Sequence, residues 1–392
     1  MRASDLLCHD ILTRLIAFDT TSRNSNLEMI AWIQDYLAGF KIATELTYDD
    51  DQRKANLFAT LGPAESSGGI ILSGHTDVVP IDGQDWVTDP FEMTEKDGKL
   101  YGRGTCDMKS FVAVSLAMVP HFLKRGLKVP IHLAFSYDEE VGCIGVRRLI
   151  ERNLGQGIRP AACIVGEPTY MQPVIAHKGK RSFQVRVRGM EAHSSLAPHG
   201  VNAVEYAAEI IAFIKQMARA KAADGPFDQM FDVPHTTLHT GTISGGTALN
   251  IVPLNCTFEF EFRFIPADDP NALLAEIQGY IDQHCLPAMR AIDPTTSITI
   301  EELSSIPGLD TDENDEVVQL AKALSGANAV TKVAFGTEAG LFQQAEVPTI
   351  VCGPAHIDQA HKPNEFVEVA QVAQCEAFMA RLMDRVCVNA AA

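Results

Sequence analysis

A chain of 392 residues is longer than one hydrophobic core usually serves, so two domains are expected. Its formal net charge of -18 argues against nucleic acid and anionic membrane as partners, since both are bound through clustered basic surface. Hydrophobic content of 46% and charged content of 21% belong to an ordinary globular protein. No stretch has the length and polarity of a membrane span, and Met1-Arg2-Ala3-Ser4-Asp5 lacks the apolar core of a signal peptide, so the cytoplasm is the expected compartment.

In chain order, Leu6, Leu7, Ile11, Leu15 and Ile16 predict a helix over 4–17, and a second helix is expected over 25–38, before Gly39. Strands are expected over 41–47 and 55–61, followed by a loop at 62–67. The run Ile70-Ile71-Leu72 suits a strand of a parallel sheet buried on both faces. It delivers Ser73-Gly74-His75-Thr76-Asp77 to its carboxyl end, where open α/β sheets bind ligands. An imidazole with a carboxylate two residues on suits a metal ligand and the acid that orients it.

A loop rich in Asp, Gly and Pro is expected over 80–104. It ends in Gly102-Arg103-Gly104-Thr105-Cys106-Asp107-Met108-Lys109-Ser110. Asp107 opens the apolar run 111–118, expected as a mostly buried helix closing near Gly126; taken alone, Asp107 reads equally well as a helix N-cap. The next strand, 131–136, runs into Asp138-Glu139-Glu140, three adjacent acids that repel one another and call for positive charge nearby. A short apolar strand at 161–165 delivers Glu167, and another at 348–352 leads to His361. Strand after strand thus ends in a hard or borderline ligand, with Asp107 beside them, and the coincidence points to a metal site at one edge of the sheet.

Residues 179–303 follow a different grammar. Strands at 179–189 and 256–264 alternate polar and apolar residues, as strands with one wet face should, and the order βαββαβ suggests a small α+β domain with helices on one face of an antiparallel sheet. It would be inserted into an α/β catalytic domain, 1–178 and 304–392, whose mostly parallel sheet carries helices on both faces. The nine cysteines are odd in number and never spaced C-x-x-C, which reads as reduced thiols.

Two imidazoles and at least three carboxylates exceed what one tetrahedral zinc needs. Five ligands with one bridging acid, for which Asp107 is the candidate, suit two ions in a co-catalytic arrangement. Of the neighbours Glu139 and Glu140, one can ligate while the other acts as a general base toward an attacking water, so the reaction class is hydrolysis of an amide or related acyl bond.

The segments Gly74-His75-Thr76-Asp77-Val78-Val79-Pro80, Gly102-Arg103-Gly104-Thr105-Cys106-Asp107-Met108-Lys109, Asp138-Glu139-Glu140-Val141-Gly142 and Gly166-Glu167-Pro168 resemble the signature of the two-zinc aminoacylase, carboxypeptidase and desuccinylase family. The resemblance covers essentially the whole chain. It implies two divalent ions, zinc with cobalt as the alternative, one held by His75, Asp107 and Glu167 and the other by Asp107, Glu140 and His361. It further implies Glu139 as the base, Asp77 as the acid orienting His75, and a cis peptide bond at Asp107–Met108.

Phe335-Gly336-Thr337-Glu338-Ala339-Gly340 and Ile357-Asp358-Gln359-Ala360-His361-Lys362-Pro363-Asn364-Glu365 are similar to the acetylornithine deacetylase branch, with a departure at Ala355-His356, where Gly-Ser is more common. That branch implies hydrolysis of N2-acetyl-L-ornithine to L-ornithine and acetate, a step of arginine biosynthesis. Succinyl-diaminopimelate desuccinylase and a broad N-acyl-amino-acid deacylase are the alternatives within the family. A non-catalytic metal or small-ligand binding module is the alternative outside it, and an unligated base at Glu139 counts against that. The resemblance makes the insert a lid and homodimerisation module. His193 matches a residue that reaches the partner subunit's active site and donates to the oxyanion. Asn250 and Arg263 match positions that bind the substrate's α-carboxylate. Glu338, on charge match alone, is expected to meet the ornithine ammonium.

Overall fold

The computed structural model describes residues 2–63, 68–155 and 157–388, so part of the loop expected at 62–67 lies outside the described residues. The chain forms two compact units, one of Met1–Ala176, Leu309–Lys332 and Thr337–Ala392, the other of His177–Gly308 and Val333–Gly336.

The first unit is built on a large mixed sheet. Its centre is four adjacent strands, in the order Ile131–Ser136, Ile70–His75, Ala162–Pro168 and Thr349–Gly353, each parallel to its neighbour. Every residue in them is buried, which is why their sequences are near-continuous apolar runs. Ala55–Leu61 and Thr44–Tyr48 extend the sheet antiparallel beyond Ile131–Ser136. Apolar residues of His9–Ile16, Leu27–Ala38, Lys109–Ala117 and Val369–Val386 join the sheet in one continuous core. All nine cysteines are free and buried. No helix among the described residues is long and apolar enough to cross a membrane.

Three local expectations need correcting. The first helix is a 3-10 turn, Ala3–Asp5, followed by His9–Ile16. The helix expected to run from Asp107 to Gly126 breaks at Met118 into Lys109–Ala117 and Val119–Arg125, where Pro120 sits in the first turn of the second piece and has no N–H to give. The loop at 80–104 contains a hairpin, Thr94–Lys96 with Lys99–Tyr101, turning on Asp97-Gly98 with both residues at positive φ, and Phe366–Glu368 adds a third strand. Strands of three residues carry no readable alternation, although Asp-Gly is itself a hairpin signal.

The second unit is a four-stranded antiparallel sheet in the order Thr237–Gly245, Asn255–Phe264, Gly179–Arg188 and Ser297–Ile306. Phe183, Val185 and Val187 alternate with exposed Arg186 and Arg188, and Cys256, Phe258, Phe260, Phe262 and Phe264 point the same way from the next strand. Those residues pack on Ala203–Asp224 and Pro270–Tyr280 to make a core of their own. The fold class read from the sequence, a mostly parallel α/β sheet with a βαββαβ insert, is the one observed.

Candidate metal centre

The four central strands end on one edge, and each brings a ligand there. His75 is the last residue of its strand, Glu139 and Glu140 follow Ile131–Ser136, Glu167 lies near the end of Ala162–Pro168, and His361 follows Thr349–Gly353 after the turn Ile357–Gln359. Asp107 comes from above the sheet, from the residue before the Met108 N-cap of Lys109–Ala117. That helix can sit close because its strand neighbours are glycines: a Cβ on Gly166 would fall 1.9 Å from Phe111 Cγ, and one on Gly74 2.9 Å from Met108 Cε. The peptide bond Asp107–Met108 is cis, as expected.

Asp107 faces two imidazoles at once. Its Oδ1 lies 2.9 Å from His75 Nε2, and its Oδ2 lies 3.2 Å from His361 Nε2. Glu167 Oε1 is 3.7 Å from His75 Nε2, while Glu140 Oε2 is 3.1 Å from His361 Nε2. The groups His75, Glu139, Glu167 and His75, Asp107, Glu140 each offer ligand atoms within 4.8 Å of one another. Asp107 is therefore not the helix cap its position first allowed; its carboxylate is spent on the imidazoles.

His75 Nδ1 donates to the main-chain carbonyl of Asp77 at 2.9 Å, which leaves Nε2 free to face the cluster. Asp77 thus orients His75 through its backbone, and its carboxylate, at 3.7 Å, does something else. It accepts the N–H of Glu139 and of Glu140, at 3.0 and 3.3 Å, and the hydroxyl of Ser22 at 2.7 Å, so it aims the two glutamates. Asp138, the first of the three adjacent acids, turns away to Lys54 Nζ at 2.5 Å.

The charge in this cage asks for cations. Burial raises the Glu139 and Glu167 carboxyls well above the ordinary range, with neighbouring carboxylates adding to it, and lifts Glu140 to about 7. Burial would also raise Asp107, but the hydrogen bonds of His361 and His75 outweigh it and hold that acid well below its usual value. His361 is pushed up to about 10 by its hydrogen bonds to Asp107 and Glu140. Burial would depress His75, yet the Asp107 hydrogen bond and the Glu167 charge carry it well above its ordinary value. Both imidazoles are thus drawn toward serving as cations amid four carboxylates, and Glu140 Oε1 is buried with no hydrogen-bond partner among the described residues. Oxygen-rich ligands with two borderline nitrogens fit divalent metal, which would satisfy that oxygen and let the imidazoles bind as neutral rings.

Glu338 does not stand where the charge match put it. It is fully buried, and its two oxygens accept the hydroxyls of Ser73 and Ser136 at 2.7 and 2.8 Å. His356 is held by its neighbours: its ring lies 4.6 Å from that of Tyr170, and its Nδ1 accepts the Asp358 N–H at 3.2 Å. In the second unit, exposed His193 caps the turn Ser194–His199 and bonds Ser195 Oγ at 2.8 Å. The Ser194 N–H donates to the Asn250 carbonyl at 3.0 Å, so the segments bearing His193 and Asn250 are side by side. Arg263 donates through Nε to Glu261 at 3.1 Å on its own strand. The residues sequence reasoning missed are Arg103 and Glu365, a buried pair at 2.6 Å. Both lie in recognisable motifs, but nothing local in either says that they meet.

An edge of parallel strands that gathers three glutamates and two imidazoles around one shared aspartate defines a two-metal amide hydrolase. The chain belongs to peptidase family M20/M25/M40, matched over residues 71–385. It is 36% identical over 380 residues to an acetylornithine deacetylase of Myxococcus xanthus, covering 96% of each chain. It is 34% identical over 366 residues to an acetylornithine deacetylase of Pasteurella multocida, covering 93% of this chain and 92% of that one. Among solved structures, the aminopeptidase PepT of Bacillus cereus shares the fold with a TM-score of 0.74 at 20% identity, over 96% of this chain and 97% of that one.

Proposed function

We propose that this protein hydrolyses N2-acetyl-L-ornithine to L-ornithine and acetate, a step of arginine biosynthesis. The observation that carries the substrate is full-length similarity, at 36% and 34% identity, to two proteins named for that reaction. In this reading His75, Asp107 and Glu167 hold one ion and Asp107, Glu140 and His361 the other, zinc first and cobalt as the substitute. Ions so held supply Lewis-acid polarisation of the acyl carbonyl and a more acidic water. Glu139, which this reading leaves unligated although its carboxylate lies within 4.8 Å of the ligand atoms of His75 and Glu167, takes the proton from the attacking water and returns it to the leaving nitrogen. Asp77 keeps that carboxylate in place through the Glu139 N–H.

The insert, 179–303, is the lid and dimerisation module in this reading. His193 supplies a donor to the developing oxyanion of the partner subunit's substrate, and Asn250 and Arg263 receive the α-carboxylate. Support for a second copy comes from the edge strand Thr237–Gly245, whose far end is exposed, and from exposed Ile243, Leu249 and Ile251 nearby. The compartment that fits is the cytoplasm, where nine buried free thiols stay reduced.

The test is turnover of N2-acetyl-L-ornithine, N-succinyl-diaminopimelate and N-acetylmethionine side by side, before and after chelation. Acetylornithine is expected to lead in kcat/KM, and chelation to abolish turnover until zinc or cobalt is restored. A lead for either rival substrate sinks the proposed specificity.

A further inference from the structure

Two ligands of the second ion, Asp107 and His361, sit on loops and not on strands, and one buried carboxylate ties those loops together. Glu365 Oε1 accepts three backbone donors from the Asp107 loop, the N–H groups of Gly104, Cys106 and Asp107, at 3.0, 2.8 and 3.1 Å. Its Oε2 meets Arg103 Nη1 at 2.6 Å, and both side chains are 1% exposed. From Arg103 the connection goes on to the other loop. Arg103 Nη2 donates to Gln84 Oε1 at 2.6 Å, and Gln84 Nε2 donates to the main-chain carbonyl of His361 at 3.0 Å. The Gly102 N–H donates to the Glu365 carbonyl at 3.0 Å, and Trp86 lies against the guanidinium, its ring centre 5.1 Å away.

We infer that Glu365 is a positioning residue that, through Arg103 and Gln84, holds Asp107 and His361 in register and so sets the affinity of the second ion. The inference rests on the two-ion reading above. The first ion keeps two ligands independent of this brace, His75 and Glu167, both part of central strands. The second keeps one, Glu140. Burial of a charged pair is costly unless every lone pair and proton is used. Here four donors meet the carboxylate, three of them backbone N–H groups, while Arg103 Nε is buried with no partner among the described residues; the arrangement fixes backbone at that cost and is poorly suited to touching substrate.

The experiment is zinc titration of the metal-free full-length protein by calorimetry, with metal content after dialysis, for wild type, Glu365→Gln and Gln84→Ala. The wild type is expected to hold two ions per chain. Glu365→Gln is expected to keep the first and to weaken the second by roughly 10- to 100-fold, the usual cost of losing an outer partner of a metal ligand. Gln84→Ala, which cuts the His361 arm and removes an acceptor of Arg103 and Trp86 but leaves the Glu365 contacts to the Asp107 loop, is expected to weaken the second ion less than Glu365→Gln does. Equal weakening of both ions, or two ions held as tightly as in wild type, overturns the inference while leaving the two-ion reading intact. A wild type that holds one ion removes both. Should Glu365→Gln not fold, Gln84→Ala decides alone, and an unchanged second affinity there overturns the inference.

Discussion

His75 and His361 approach one aspartate from opposite sides, yet they are held in different ways. The His75 side chain is 1% exposed, ends a central strand and has its second nitrogen fixed by the Asp77 carbonyl. The His361 side chain is 52% exposed and sits at positive φ after a short turn, steadied from behind through its backbone. One half of the metal cage is therefore part of the sheet, and the other is assembled on it by loops. Order and affinity should differ between the halves even where the ligand atoms match.

The largest effect tests what the halves share. Asp107→Asn should remove both ions and all turnover above background, with metal content after dialysis as the measure; retention of one ion would show that the halves are independent. Glu139→Gln should keep both ions and lower kcat by roughly 10²- to 10⁴-fold, the range for loss of a general base, so a loss of metal would reassign it as a ligand.

The third prediction separates the halves. In metal-free protein His75→Ala should lower denaturant stability by about 1–3 kcal/mol, because it strips a buried partner from Asp107, whereas His361→Ala, which strips a half-exposed partner from Asp107 and Glu140, should cost less. Equal losses would end the distinction. Gly166→Ala should cost a similar or smaller amount, about 1–3 kcal/mol of overpacking, since its Cβ would meet the Phe111 ring that seats the Asp107 helix.

The last prediction uses an imidazole of the same sheet that faces no acid among the described residues. His132 is buried against Phe58, bonds Thr60 Oγ1 at 2.9 Å, and is lowered by burial to about 4. A histidine depressed in the fold contributes stability above its unfolded value near 6.5 that is lost as pH falls through 4. His132→Asn should flatten the loss of stability between pH 7 and 4 by up to about 3 kcal/mol; an unchanged slope would mean that the ring is not held neutral.

Much of this centre could be read from the chain because parallel strands advertise themselves. An apolar run that stops at His75, Glu139, Glu167 or just before His361 marks both the strand and the edge where its ligand emerges. The alternation of Phe183, Val185 and Val187 with exposed arginines marked the insert in the same way. What stayed hidden depends on pairing across long separations. Asp138 looks like its two neighbours until Lys54 claims it, and Glu338 looks like a site acid until Ser73 and Ser136 enclose it. Arg103 and Glu365 fall in motif positions, but that one carboxylate gathers three backbone donors becomes visible only when the loops are folded.

The insert departs from the first unit after Ala176 and the chain resumes there at Leu309, and the two flanks are in touch, since the Thr311 N–H donates to the Ile175 carbonyl at 2.8 Å. Departure and return thus share a doorstep. Lengthening, trimming or exchanging what hangs between them leaves every strand that delivers a ligand in its place.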